Sequence, residues 1–362
     1  MTKSFKLGCV YLAALVSLTL ARLIFGFVNL SDNLSNWLFS VVMQCGFMGL
    51  MPYLMIKFIS PKDAGFRDSV YLKASHLKPV TYLYAVAIGL LGFVLNVGVS
   101  SLSYTFWEAT GYVSVSSSGT VYSGIEVLIL EVITGSMMPA VFEEITHRGV
   151  LQGALEEQGV PDGAKVFVMA LFFGLGHQNI LQLIPTFVIG LIISYMAVKC
   201  RSIVPGMIVH FMNNFIITFF DYAEQVGLGI AYAYNVFVNF MFSSLFVLFG
   251  AMAAATVCII LLLREITREN ARAAKKANGA PPVPSDVPGG VYDVGDVFNG
   301  YGGNGGRAGG YYGYFAERNA APAAKSSEKR FKADVAAIAL LTIGAIAAAA
   351  GTVFTLIWGI LR

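Results

Sequence analysis

Residues 245–263 read LFVLFGAMAAATVCIILLL, an apolar run without one charged side chain that ends at Arg264. A helix of about twenty such residues spans the ~30 Å hydrocarbon core of a bilayer. Runs of this kind recur along the chain. They predict nine spans, at roughly 7–28, 35–56, 80–104, 126–150, 166–181, 183–198, 203–222, 236–263 and 335–361. The composition agrees: 56% of the 362 residues are hydrophobic, only 12% are charged, and the mean hydropathy is +0.69. Soluble domains carry about 25% charged residues, which excludes a soluble globular enzyme. An outer-membrane barrel is excluded as well, because its strands alternate apolar and polar residues over about ten positions. The expected fold is all-α, a polytopic helical membrane protein. Cys9, Cys45, Cys200 and Cys258 lie in apolar stretches without CxxC spacing, so neither a disulfide framework nor a zinc knuckle is expected.

Basic residues set the orientation. Lys57, Lys62, Arg67, Lys73 and Lys78 lie between spans two and three, Lys199 and Arg201 between six and seven, and a dense set from Arg264 to Lys332 between eight and nine. The alternate loops near Asp32, Glu108 and Glu224 have no Lys or Arg, so the N-terminus is expected in the cytoplasm. The first span follows Lys3 and Lys6 but lacks a small-residue cleavage site, and reads as an anchor with Arg22 snorkelling at its outer end. The expected organisation is a transmembrane domain of about eight helices over 1–263, a cytoplasmic linker over 264–333 and an additional C-terminal helix over 334–362. The linker opens on a charged segment, Arg264 to Lys276, expected to continue the eighth helix, and passes into the tract GYGGNGGRAGGYYGY at 300–314, too poor in apolar residues to fold alone.

Ionisable groups inside a bilayer are costly and mark functional sites. Three of the four histidines fall in spans: His147 in VFEEITHRGV, His177 in LFFGLGHQN and His210 in PGMIVHFMNNF. In a helix, positions four apart share a face, so Glu144 is expected to pair with Arg148 while Glu143 lines up with His147. Glu143, desolvated and without an arginine of its own, is then suited to act as a base. His210 and Asn214 also share a face, a pair suited to hydrogen-bonding an oxyanion. Measured from Glu156, Lys165 and Arg201 at the cytoplasmic surface, Glu143, His177 and His210 lie roughly 20, 18 and 14 Å deep. Three helices thus bring polar groups to one level, where a carboxylate and an imidazole can deprotonate a water and a second imidazole with a carboxamide can stabilise the tetrahedral intermediate of amide hydrolysis. Glu143, His177 and His210 could also hold a zinc ion. HExxH and HxxEH are both absent, and the metal-free reading, with no cofactor, is favoured.

EEITHR at 143–148, FGLGH at 173–177 and HFMNN at 210–214 resemble the motifs EExxxR, FxxxH and HxxxN of the CAAX protease and bacteriocin-processing family, which includes the type II CAAX prenyl endopeptidases. The likeness covers roughly residues 124–222, and HRGVLQGAL resembles the run that follows the family's first motif. It implies an intramembrane protease of the glutamic type: Glu143 and His177 activating water, His210 and Asn214 forming the oxyanion site, Glu144 with Arg148 as a supporting pair, and Phe173 lining the pocket beside His177. The implied partners are the lipid bilayer and a peptide or protein substrate, lipidated in some members, and no nucleic acid. Location in the cell membrane is implied for a prokaryotic source and in the endoplasmic reticulum for a eukaryotic one. His147 departs from the family pattern and reads as a packed residue with a satisfied nitrogen. Glu126 and Glu131 read as water-facing, Pro139 as a kink in the fourth span, and Pro185 and Pro205 as helix starts. Two other functions use the same residues: a non-catalytic scaffold or bacteriocin-immunity protein with this fold, and a proton-coupled transporter.

Overall fold

The computed structural model describes residues 2–25, 32–59, 77–113, 119–279 and 334–360. Among these every regular element is helical. Helix α1 is Lys3–Phe25, and α2 joins Asn33–Val41, a π-helical stretch Val42–Leu50 and Met51–Ile59. Asp32 caps α2 by accepting from the Ser35 N–H at 2.8 Å, and that bond holds its carboxyl below the usual carboxylate range. Helix α3 is Pro79–Ala109; α4 runs through Ile125–Glu131, Val132–Met137, Met138–Glu144, Ile145–Leu151 and Gln152–Glu157, its second and fourth stretches π-helical. Then come α5 (Asp162–Gly176), α6 (Ile180–Cys200), α7 (Val204–Gln225), α8 (Gly229–Met241), α9 (Leu245–Gly279) and α10 (Val335–Ile360).

Seven of these, α1, α2, α3, α4, α6, α9 and α10, are long and apolar enough to cross a membrane, consistent with a polytopic membrane protein. The nine expected spans differ from this set for local reasons. Helix α5 has 15 residues and ends before His177, because Gln178 takes a left-handed conformation (φ 49°) and Asn179 starts α6 by accepting from the Leu181 N–H at 2.9 Å. Helix α7 has 22 residues, but His210, Asn213, Asn214, Asp221 and Glu224 dilute its apolar character. The run expected at 236–263 is divided: α8 stops at Met241, and the Ser244 hydroxyl accepts from the Val247 N–H to open α9. Helix α9 does continue through Arg264 to Gly279, and the Gly/Tyr tract lies outside the described residues.

Pro139 produces a change of winding. It opens the α-helical stretch Met138–Glu144, directly after the π-helical Val132–Met137, where its missing N–H and bulky ring disfavour an ordinary preceding turn. Pro205 sits in the first turn of α7 as expected, whereas Pro185 is inside α6 because that helix begins at Ile180. Glu131 is not simply water-facing, since it accepts from the Trp37 indole N–H at 2.9 Å.

The two most extensive of four apolar clusters among the described residues hold the bundle around the motif helices. One joins α1, α4 and α5 through Tyr11, Leu15, Leu151 and Met169; the other joins α3, α6, α7 and α9 through Ile88, Ile193, Val209 and Ile259. Helices α5 and α6 pack as an antiparallel hairpin, α10 lies along α1, and α3 is held between α7 and α9. The α3–α7 approach depends on Gly89, where a Cβ would fall 2.6 Å from the Met212 Cβ. At one end, Lys165 pairs with Glu156 at 3.4 Å and with Asp162 at 3.0 Å, and Lys199 pairs with Asp162 at 2.9 Å. These contacts place the charged ends of α4, α5 and α6 at one level.

Candidate active site

The three motifs converge on the ring of Phe173. His147, His177 and His210 each meet that ring edge-on, with centroids at 5.4, 4.9 and 5.4 Å, and the Arg148 guanidinium lies over it at 4.3 Å. Phe173 is itself only 1% exposed. One aromatic side chain on α5 therefore sets the spacing of cationic and imidazole groups from α4, α5 and α7.

Glu144 and Arg148 are fully buried and pair at 3.0 Å, as the four-residue spacing predicts. Arg148 also donates from Nε to the Ser194 hydroxyl at 3.1 Å and from Nη2 to the Gly190 carbonyl at 3.2 Å, so α6 holds the other edge of the fork. Glu144 Oε1 has a second partner in His210 Nδ1 at 2.9 Å. Glu143 turns elsewhere: its Oε1 accepts from Gln44 Nε2 at 2.7 Å, while its buried Oε2 has no hydrogen-bond partner among the described residues. Glu143 lies within electrostatic range of Arg22, Arg148 and the His177 ring. Glu144 Oε2 is likewise buried without a partner among the described residues, so the two adjacent carboxylates differ in what holds Oε1: the charged Arg148 and the His210 ring on Glu144, and the neutral Gln44 amide on Glu143.

His177 caps α5, and its Nδ1 lies 2.8 Å from the Phe173 carbonyl. A carbonyl only accepts, so Nδ1 carries the proton and the neutral ring presents a basic Nε2. The same reasoning at His210, whose Nδ1 faces a carboxylate, puts a proton on Nδ1 there too. His147 does not join Glu143; its Nδ1 meets the Tyr11 hydroxyl at 2.8 Å, and the residue is 2% exposed. That is the packed, satisfied histidine expected, reached across helices after the π-helical winding of Ile145–Leu151 alters the α-helical register.

His177 and Asn214 line a cavity of about 780 Å³ with Asn96, Ser100, Asn213 and Gln182, between α3, α6, α7 and the start of α9. Glu143, Glu144 and His210 are not among its lining residues. A 780 Å³ space is large enough for several residues of an extended peptide. Among the described residues, no group of three His, Cys, Asp or Glu side chains is placed to hold a metal ion.

Arg22 corrects the reading of α1. It does not snorkel but donates to the backbone carbonyl of His177. Beside it, Thr19 accepts from the Gln178 side chain at 2.5 Å, and a Cβ on Gly351 of α10 would come within 2.9 Å of that same side chain. The turn bearing His177 is thus held by the first and last described helices. Sequence reading also passed over Gln44, Asn96, Asn213, Tyr11 and Ser194. Gln44 and Asn96 had a usable signal, being lone amides in apolar runs that need a partner as a charge does; Tyr11 and Ser194 had none.

The sequence of this region has a counterpart. Residues 125–216 match the family model described as type II CAAX prenyl endopeptidase Rce1-like. The Rce1-like segment runs from the start of α4 into α7 and contains every motif residue on the Phe173 ring, as well as Asn214. Helices α1–α3 and α8–α10 lie outside it, including Gln44, Arg22 and Asn96. No curated protein and no solved structure matches the chain. The match is to endopeptidases and covers about a quarter of the chain; the seven long apolar helices agree with a multi-pass membrane protein.

Proposed function

We propose that the protein is an intramembrane endopeptidase of the glutamic type that cleaves a peptide bond with a water activated by Glu143 and His177. The observation that carries this reading is that Glu143 is a buried carboxylate held by the neutral Gln44 amide alone, with Oε2 unpartnered among the described residues and within electrostatic reach of a histidine that lines the cavity. Water loses a proton to Glu143 Oε2, with His177 Nε2 orienting it as an acceptor, and the hydroxide adds to the substrate carbonyl carbon. The carbonyl oxygen becomes an oxyanion. Asn214 donates N–H to it, and His210 donates from Nε2 when both of its ring nitrogens carry protons. Glu143 then returns its proton to the leaving amine as the C–N bond breaks. Glu144, Arg148 and Phe173 hold His210 and the helices in place.

The proposed chemistry uses no metal; the Nδ1 contacts of His177 and His210 orient each ring and would serve a metal-binding Nε2 equally well, so metal removal is the deciding experiment. Dialysis against a strong chelator is expected to leave turnover within about twofold; its loss, restored by zinc, would make Glu143, His177 and His210 the ligand set to examine. The proposed orientation puts the N-terminus and basic loops in the cytoplasm.

The test uses purified protein in liposomes with quenched-fluorescence peptides ending in a CAAX sequence, prenylated and unprenylated. Cleavage in heavy-oxygen water is expected to put one labelled oxygen into the new carboxylate. His177→Ala is expected to lower kcat by about 100- to 10,000-fold, the range for a group that acts in proton transfer. Wild-type turnover in that variant sinks the mechanism.

A further inference from the structure

The oxyanion role given to Asn214 depends on which end of its amide faces the cavity. An Asn side chain has an acceptor oxygen and a donor NH2 of nearly the same shape, so only its hydrogen bonds decide between them. Here the bonds run along a chain of three amides that starts at Asn96, whose own buried Oδ1 has no hydrogen-bond partner among the described residues. Asn96 Nδ2 on α3 donates to Asn213 Oδ1 at 3.1 Å, and Asn213 Nδ2 donates to Asn214 Oδ1 at 3.3 Å. The oxygen of Asn214 is thereby occupied, and its NH2 is the end left for the cavity that all three residues line with His177.

We propose that Asn96 is a positioning residue: through Asn213 it fixes the amide of Asn214 so that N–H, and not oxygen, is presented to the oxyanion of the substrate. The proposal rests on the proteolytic reading of the site. Asn96 lies outside the Rce1-like segment at 125–216, so it adds a participant from a helix that the match does not reach. Two features place it. Gly89 lets α3 approach Met212, the neighbour of Asn213, and Asn96 is seven residues on, two turns along the same face. Asn213 is only 6% exposed, so water is poorly placed to replace Asn96 as the donor to its oxygen. Without that donor, Asn213 can turn its oxygen toward Asn214, which then pairs through its own NH2 and shows the cavity a repelling oxygen.

Asn96→Ala and the same-shape Asn96→Asp, which removes the donated N–H without changing side-chain size, are expected to lower kcat by about 10- to 100-fold, below the full effect of deleting an oxyanion donor, with KM within about twofold. Adding Asn96→Ala to Asn214→Ala is expected to cost less than about a further twofold, because a positioning residue has nothing left to position. A further tenfold loss in the double variant, as general damage to the fold would give, overturns the proposal. A second readout is independent of catalysis. In protein labelled with isotopic nitrogen at asparagine, the Asn214 side-chain NH2 signals, identified by their absence in Asn214→Asp, are expected to shift in both Asn96 variants. Unchanged signals overturn the relay even if no peptide is cleaved; a relay seen in the spectra with wild-type turnover in His177→Ala instead overturns the protease mechanism.

Discussion

Glu143→Gln is expected to abolish peptide cleavage, lowering kcat about ten-thousandfold, at the upper end of the range for a general base. The substitution keeps the side chain's shape and replaces the open oxygen or its neighbour by an NH2. The remaining carbonyl oxygen can still accept from Gln44 Nε2, which Glu143 Oε1 now does at 2.7 Å, so the packing of α2 on α4 should survive. Water at the open position then meets no base. Each of the two carboxylates has a buried Oε2 without a partner among the described residues, but Glu144 Oε1 is shared by Arg148 and His210 while Glu143 Oε1 meets only Gln44. Glu144→Gln should for that reason act mainly through the placement of His210. Steady-state kinetics on the liposome-reconstituted protein, with melting temperature as a control for folding, checks this. A folded Glu143→Gln protein with activity within tenfold of wild type would remove Glu143 from the chemistry.

The largest effect on stability is expected at Arg148. Its side chain is fully buried, and Arg148→Met would strip the Gly190 carbonyl, the Ser194 hydroxyl and Glu144 of a donor at once. Breaking a buried ion pair from one side costs about 3–5 kcal/mol, because the surviving charge stays buried; here Glu144 would keep only its bond to His210 Nδ1. Thermal and denaturant unfolding in detergent should show a loss of that size. The double variant Glu144→Gln/Arg148→Met should recover at least half of it, since no charge is then stranded. Destabilisation below about 1 kcal/mol in Arg148→Met would mean that water reaches this network.

Part of the candidate site's packing was legible in the sequence because some of its paired residues lie within short helical repeats. The four-residue spacing predicted the Glu144–Arg148 pair, and counting residues from the charged ends predicted that His177 and His210 would reach the same level, as their shared contact with Phe173 shows. What was not legible depends on which helices become neighbours. His147 bonds Tyr11, 136 residues away, and Asn96 reaches Asn213 over 117 residues; no periodicity within one helix carries that information. His177 is an intermediate case. It was assigned to a helix interior although Asn179 before an apolar run is a helix-start signal, and reading that signal would have placed His177 in a turn.

Gly351 gives the last helix a part in the order of events. Translation delivers α1 early and α10 after every other described helix, yet α10 packs on α1 and meets Gln178 beside His177. The motif residues are all made by position 214, and the wall behind the histidine turn arrives more than a hundred residues later. Time is therefore built into the architecture: as the chain is made, the chemical groups are complete well before the scaffold that steadies one of them.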